Sequence, residues 1–417
     1  MNCTVAIVGG GLFGSGLALE LVRKGIAVTL IDRDVVPVNR AARRNEGKVH
    51  LGFVYAQEDD ARTAAVMLEG ALAFRRIVAS WIGNEAWRSI PSSTPYHYLI
   101  HRDSILDAAR LAVHYAAVQR LYEETAASDP QGLDYLGDRP PRLWRPLDPA
   151  EVSAYRRASV QSGFATVERA LDTDSLCDQL AAVVSATPAI RWVGGTHVEG
   201  VTNTGKGFEV YGGRMGERWA ERFDFVVNAA WTSRVAIDRS VGIVPPKGHL
   251  LRLKYRVIVS LPNHLRGLSS ATIVLGRFGD VVIRGDGTGC LSWYPACLRG
   301  WSDAAEPPAE WEDPCRGEPA TVDAEAVVHA TLAAFEPYYP GLSRAAVLAV
   351  DAGGIVARGA SDIDDPGSRL HSRHAIGILH TVEKGYLSVD QGKWTTAPLF
   401  AVRVGEMVAQ MAGVGND

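Results

Sequence analysis

Residues 4–32 carry the pattern that most restricts the fold of this chain. Residues 4–8 are a short apolar run of the kind that forms a buried parallel strand, and residues 27–31 are a second such run. Residues 12–24 between them are typical of a helix and are followed by a glycine, which ends helices. The turn before this helix has the spacing G-x-G-x-x-G. We therefore predict a βαβ unit here, with Asp32 at the end of its second strand.

Each glycine of this turn has a separate role in a βαβ unit that binds a dinucleotide. Gly9 permits the tight turn, Gly11 lets a pyrophosphate approach the backbone, and Gly14 brings the helix close to the strand. The anion then lies on the exposed N–H groups at the positive end of the helix. Asp32 lies 18 residues after Gly14. This is close to the spacing of roughly 20 residues expected for a carboxylate that accepts hydrogen bonds from a ribose. The unit therefore predicts a dinucleotide site.

The acid also narrows the choice of dinucleotide. A carboxylate at position 32 disfavours the 2′-phosphate of NADP, although a neighbouring arginine weakens this argument. FAD and NAD both remain compatible with the motif. The candidate nucleotide-binding residues of the unit are Gly9, Gly11, Leu12, Phe13, Gly14, Asp32 and Arg33.

Composition excludes several other classes of protein. The 417 residues are 47% hydrophobic and 22% charged, which is ordinary for a globular chain with a large core and about two domains. A net charge of −4 provides no basic surface for nucleic acid. The five cysteines are scattered without a C-x-x-C pair, so we expect neither a disulfide framework nor a zinc site, and no other metal site is predicted.

The apolar stretch at residues 4–22 resembles a signal peptide only superficially. It has no basic start, and five glycines interrupt it where a signal helix should run. No stretch of the chain reaches the ~18 uncharged apolar residues that a membrane span requires. We therefore expect a soluble, cytoplasmic protein.

A second motif lies a short way beyond the βαβ unit, in the stretch "RRNEGKVHLGFVYA" at residues 43–56. Positions 45–52 resemble the N-x-G-x-x-H-x-G segment of FAD-dependent oxidoreductases of the D-amino-acid oxidase superfamily. The resemblance is nearest to the branch that contains L-2-hydroxyglutarate oxidase, and it extends to glycerol-3-phosphate dehydrogenase. It implies FAD as the cofactor, with this segment crossing beside the pyrophosphate and the flavin.

The resemblance assigns roles within this segment. Its charged half is expected to face the phosphates, and its second half, Val49 to Tyr55, is expected to enter the sheet beside the flavin ring. His50 is then the residue placed to assist the proton that leaves the substrate. The candidate cofactor-binding residues here are Arg43, Arg44, Asn45, Gly47, Lys48 and Val49.

Three later segments resemble the same family in the family's order. In "RWVGGTHVEG…FDFVVNAAW" the backbone of Val198 is expected to meet the adenine, and Ala229 and Ala230 follow the strand that closes the nucleotide site. In "GGIVARGASDIDD" (353–365) the matching arginine, Arg358, is expected to hold a substrate carboxylate. In "GYLSVDQGKWTTAPLFA" (385–401) a turn leads into a helix whose N-terminus stabilises negative charge on a reduced flavin. The residues of that turn are Gly392, Lys393, Trp394 and Thr395.

The resemblance implies an α/β fold in which a Rossmann-like FAD-binding domain is interleaved with an α+β substrate domain built on an antiparallel sheet. We expect the FAD-binding domain at 1–80, 155–235 and 350–417, and the substrate-binding domain at 81–154 and 236–349. Short β-rich runs bounded by turns between residues 249 and 296 agree with an antiparallel sheet.

The predicted reaction is oxidation of a C–H bond next to an amine or a hydroxyl, with hydride transfer to N5 of the flavin. The substrate is expected to be a small molecule that bears a carboxylate, and either oxygen or a quinone-like carrier would accept the electrons. Three alternatives remain open at this point: an FAD-dependent monooxygenase, an NAD-dependent dehydrogenase, and a protein that binds a dinucleotide without catalysis.

Overall fold

The computed structural model describes residues 3–129, 132–359, 361, 362, 365, 368, 370, 372, 376–382 and 385–414. Over this part of the chain the helices are α1 (Leu12–Arg23), α2 (Arg62–Ile82), α3 (Asn84–Ser89), α4 (Ala108–Ser128), α5 (Pro149–Ser153), α6 (Thr173–Ala186), α7 (Arg234–Ser240), α8 (Tyr294–Cys297), α9 (Glu312–Arg316), α10 (Thr321–Phe335) and α11 (Ala397–Met411).

The strands are β1 (Val5–Val8), β2 (Val28–Ile31), β3 (Lys48–Val49), β4 (Tyr96–His101), β5 (Trp144–Pro146), β6 (Val160–Thr166), β7 (Arg169–Ala170), β8 (Ile190–Val193), β9 (Thr196–Asn203), β10 (Phe208–Arg214), β11 (Glu217–Phe223), β12 (Phe225–Asn228), β13 (His249–Ser260), β14 (Ser270–Val274), β15 (Gly279–Ile283), β16 (Thr288–Trp293), β17 (Leu298–Ser302), β18 (Ala346–Arg358), β19 (Gly377–Val382) and β20 (Tyr386–Asp390).

A six-stranded sheet in the order β19-β20-β12-β1-β2-β8 forms around the first βαβ unit. β1 pairs in parallel with both β2 and β12, and α1 crosses between β1 and β2 as the sequence predicts. All four residues of β1 and of β2 are buried, because helices cover the faces of a parallel sheet. One of these helices is α1, which packs mainly against α11. The C-terminal helix therefore supports the unit that begins the chain.

A nine-stranded sheet, which is largely antiparallel, forms the second half of the fold. Its order is β17-β13-β16-β15-β14-β4-β6-β5, and β18 pairs with β13 along its length. β14 and β4 are its one parallel pair among the described strands. The prediction of an α/β protein with an antiparallel second sheet is confirmed. The residue boundaries proposed for the two domains stay a prediction.

The stretch 49–55 does not enter either large sheet as a strand, and that expectation is wrong. Only Lys48 and Val49 are extended, and they pair with Arg169 and Ala170 in a separate two-stranded ribbon. Gly52 then takes a left-handed conformation with φ 114°, after which residues 53–55 form one 3₁₀ turn. A residue with positive φ breaks the pleat, so the apolar residues that follow are buried in a turn.

The five cysteines are free thiols, and Cys177, Cys290 and Cys297 are buried as small apolar side chains. Among the described residues, none of the helices combines the length and the apolar character needed to cross a bilayer.

Candidate active site

A cavity of about 750 Å³ lies at the carboxyl ends of β1, β2 and β12. Residues 254–256 of β13 and 353–355 of β18 close its far side, so the cavity is shared by the two sheets. The sequence-predicted residues that line it are Gly9, Gly11, Leu12, Phe13, Gly14, Asp32, Arg33, Arg44, Asn45, Lys48, His50, Val198, Ala229, Ala230, Gly392, Lys393 and Trp394. The ends of parallel strands are where α/β folds bind ligands.

The three glycines of the first turn meet different constraints. A Cβ at Gly9 would lie 2.5 Å from the carbonyl oxygen of Ala229, and one at Gly14 would lie 1.8 Å from that of Gly9. Gly11 differs, because its φ of −70° suits any residue and a Cβ there would meet nothing within 4 Å. The space kept open at Gly11 lies beside the unpaired N–H groups that begin α1, where an anion binds.

Asp32 closes this turn from the end of β2. Its carboxylate accepts hydrogen bonds from the N–H of Gly10 at 2.6 Å and from that of Asp34 at 2.8 Å. Burial raises the pKa of Asp32, although the two backbone donors oppose that rise. The carboxylate therefore fixes the turn and also forms part of the cavity wall.

Residues 306–312, which we call the acidic strap, cross from the second half of the fold onto the nucleotide end of the cavity. Glu312 accepts hydrogen bonds from both terminal nitrogens of Arg40, one of them at 2.8 Å, and Arg40 also binds Asp34 at 2.8 Å. Glu306 lies 3.8 Å from Arg33. The sequence interpretation missed Arg40 and the strap, because the two partners are 272 residues apart.

Segment 48–52 is irregular, and side chains from distant elements bind its backbone polar groups. The hydroxyl of Thr395 accepts from the N–H of His50 at 3.0 Å and donates to the carbonyl of Lys48 at 3.2 Å. The hydroxyl of Tyr135 donates to the carbonyl of Val49 at 2.9 Å. Glu168 accepts from the N–H of Leu51, and His114 contacts the carbonyl of Gly52 at 3.0 Å. These contacts place His50 at the cavity wall.

Two buried ion pairs flank this segment. The ammonium of Lys48 lies 2.7 Å from the carboxylate of Asp280, and that of Lys254 lies 2.5 Å from Glu46. Burial raises the pKa of both acids, but the two lysines outweigh it and hold each pKa below its usual value. Both acids therefore remain ionised at neutral pH, so the charges of the two lysines are balanced within the protein.

We expect Lys48→Met to lower the free energy of unfolding by about 3 kcal/mol, because it leaves the buried carboxylate of Asp280 with only the hydrogen bond from Thr272 and the charge of Lys254 for compensation. Urea unfolding of both proteins measures the difference. Adding Asp280→Asn to Lys48→Met should restore part of the loss. Equal stability of wild type and Lys48→Met would contradict a structural role for this pair.

Five predicted site residues are not part of the cavity wall. Arg43 instead pairs with Asp174 and Asp178 of α6, so the expectation that it faces the cofactor phosphates is wrong. A Cβ at Gly47 would lie 2.0 Å from the carbonyl oxygen of Leu171, so this glycine is needed for packing. Val49 and Thr395 are fully buried behind the wall.

Arg358, the fifth of these residues, ends β18 opposite His249. It lies three positions beyond Ile355, the last residue of β18 that lines the cavity. Of the stretch 353–365 in which it was identified, positions 360, 363 and 364 lie outside the described residues. Contact of Arg358 with a substrate stays a prediction.

A parallel sheet whose glycine turn opens on a cavity shared with a second sheet defines a dinucleotide-binding α/β protein. A family model described as FAD dependent oxidoreductase, the D-amino-acid oxidase family, matches residues 4–387, and the chain belongs to this family. It is therefore an enzyme with FAD as its cofactor. The open space at Gly11 and the uncapped start of α1 fit the pyrophosphate of this cofactor.

Curated relatives and solved structures agree with this assignment. The chain is 26% identical over 287 residues to one of the subunits of the anaerobic glycerol-3-phosphate dehydrogenase of Escherichia coli K12, covering 67% of this chain and 47% of that protein. It thus spans about half the length of the curated relatives it matches.

Two similar solved structures are glycine oxidase from Geobacillus kaustophilus and L-α-glycerophosphate oxidase from Mycoplasma pneumoniae with FAD bound. Their TM-scores are 0.65 and 0.61 at 14% and 15% identity, with 99% and 98% of this chain and 95% of each of theirs covered. At this identity the likeness shows a shared fold. The resemblance read from the sequence motifs is confirmed at the level of the family.

Proposed function

We propose that this oxidoreductase oxidises a carbon that bears a hydroxyl or an amine in a small, carboxylate-bearing molecule. The observation that carries the proposal is the position of His50, which lies at the wall of the cavity that begins at the glycine turn. FAD, held by the glycine turn at Gly9 and Gly11 and by the N–H groups that begin α1, would supply the acceptor for a hydride. The chain itself must then orient the substrate and accept the proton of its hydroxyl or amine.

His50 is suited to accept that proton. An imidazole changes charge near neutral pH, and its backbone is held by Thr395 at 3.0 Å, so its position is fixed. The side chain is 18% exposed, so it is accessible from the cavity yet largely shielded from solvent. A base in this setting accepts a proton without a large reorganisation of water.

The choice of a small anionic substrate is supported by the proteins to which this chain is similar. The names of the proteins reported above refer to glycerol 3-phosphate and glycine, which are small molecules that bear a phosphate or a carboxylate group. We assign the contact with the carboxylate to Arg358, which continues the strand that closes the cavity. A guanidinium binds a carboxylate through two parallel hydrogen bonds.

The test is anaerobic titration of the FAD-loaded protein with 2-hydroxy acids, amino acids and their neutral amides, with loss of the oxidised flavin absorbance as the readout. We expect at least one acid to bleach the flavin and its amide to require a higher concentration. In the Arg358→Leu variant this preference for the acid should disappear. Reduction by none of the acids, in a protein that dithionite reduces fully, would overturn the proposal.

A further inference from the structure

We propose that Glu168 is a positioning residue for His50, a buried carboxylate that stabilises the imidazolium formed when His50 accepts the substrate proton. Glu168 lies between β6 and β7 and was not recognised from the sequence. The inference rests on the proposed function in one respect, which is that His50 is the group that accepts the proton.

The geometry around Glu168 is fixed by two hydrogen-bond donors. Its side chain is 0% exposed, and its Oε1 accepts from the N–H of Leu51 at 2.6 Å. The other oxygen accepts from the hydroxyl of Tyr98. Oε1 also lies 3.7 Å from Nδ1 of His50, within the range of an ion pair when the ring is protonated. The carboxylate is thus bound to the residue next to His50 and faces its ring.

Two opposing influences act on the charge of this carboxyl. Burial is the larger and raises the pKa of Glu168 above its usual value, while Lys48 and the two donors stabilise the anion and limit that rise. The ammonium of Lys48 already has a closer partner in Asp280 at 2.7 Å. Among the described residues, the titratable groups of other elements that face Glu168 or the ring of His50 include Lys48, Tyr55, Tyr96, Tyr98, Tyr115, Tyr135 and Asp280.

None of these neighbours except Lys48 carries a positive charge. A proton on His50 therefore places a second cation beside Glu168, and the attraction favours the protonated ring. A carboxylate within about 4 Å raises the pKa of such a group by roughly 1 to 3 units. His50 becomes a stronger base, and it stays held in one orientation while it accepts the proton.

The experiment compares wild type with Glu168→Gln, which keeps the shape and an acceptor oxygen but removes the charge. The pKa of His50 is measured by NMR titration of ¹³C-labelled histidine, with His50→Gln used to assign the signal, in FAD-loaded and FAD-free protein. We expect the pKa of His50 to fall by about one unit. The acidic limb of the pH profile for flavin reduction should move to lower pH by the same amount.

Glu124→Gln, an exposed change on α4, is the matched control and should leave both values unchanged. An unaltered pKa of His50 in folded, FAD-containing Glu168→Gln overturns the inference. If the pKa of His50 falls but no substrate reduces the flavin, the positioning role of Glu168 is supported and the proposed function is overturned. Should Glu168→Gln fail to fold, Glu168→Asp retains the charge and draws it back from the ring. We then expect a smaller fall in the pKa, and an unchanged value overturns the inference.

Discussion

Gly11→Glu is expected to yield a folded protein that purifies without FAD. The backbone at Gly11 has an ordinary φ of −70°, and a Cβ there meets nothing within 4 Å, so the substitution places no strain on the polypeptide. The new side chain instead brings bulk and a negative charge to the start of α1, where the pyrophosphate requires positive potential. The ratio of flavin to protein, measured by absorbance, should fall below about one tenth of the wild-type value. We expect the lost contacts with the anion to weaken FAD binding by more than about 1.4 kcal/mol, which corresponds to a tenfold loss of affinity.

Gly285→Glu is the matched control for this substitution. A Cβ at Gly285 also meets nothing within 4 Å, and the residue is exposed and away from the cavity. It should keep its FAD. Circular dichroism and a thermal melt must show that Gly11→Glu is folded. Full flavin content in Gly11→Glu would place the cofactor elsewhere and refute the role of the first turn.

His50→Gln is expected to retain FAD and to lose most of its rate of flavin reduction by substrate. A positioned base contributes roughly 10²- to 10⁴-fold to proton transfer, and glutamine has no group that accepts a proton near neutral pH. The hydrogen bond from the N–H of residue 50 to Thr395 uses the backbone, so the segment should keep its position. Anaerobic stopped-flow reduction of the variant and the wild type measures the effect.

The control for His50→Gln is His329→Gln, an exposed histidine on α10. The rate at which substrate reduces the flavin in His329→Gln should equal that of the wild type. The two variants should also be reduced equally by dithionite, because that reaction needs no base from the protein. A loss of less than about threefold in His50→Gln would assign the proton to another group, since a base contributes at least roughly 10²-fold.

The nucleotide end of the site could be predicted from the sequence because its determinants are local. Strand β1, the glycine turn, helix α1 and strand β2 follow one another within 27 residues, and each has a pattern that depends on its own side chains. At Gly9 and Gly14 a side chain would collide with neighbouring backbone, and at Gly11 it would fill the open space beside the start of α1. The three glycines in the sequence therefore indicate the shape of the turn directly. The family motif located His50 for a similar reason, as it is a short segment with fixed spacing.

The remainder of the site depends on contacts that no sequence pattern reports. Glu168 contacts Leu51 across 117 residues, and the acidic strap contacts Arg40 across 272. Each of these acids, taken alone, looks like a surface charge. Arg43 shows the converse, since an arginine beside a cofactor motif was expected at the phosphates but pairs with Asp174 and Asp178. The direction in which the side chain of Arg43 points is decided by the position of α6 in the folded protein.

The contacts that hold segment 48–52 have a consequence for the order in which the molecule acquires activity. The groups that bind its backbone come from residues 62 to 347 positions away in the chain, the last of them at the start of α11. Contacts of such long separation form late, because much chain entropy is lost before they form. His50 is held in place through Thr395 only when the final helix docks. Because the same helix packs on α1, its docking couples the nucleotide turn to the proton acceptor, and a chain in which α11 has not docked lacks support for both.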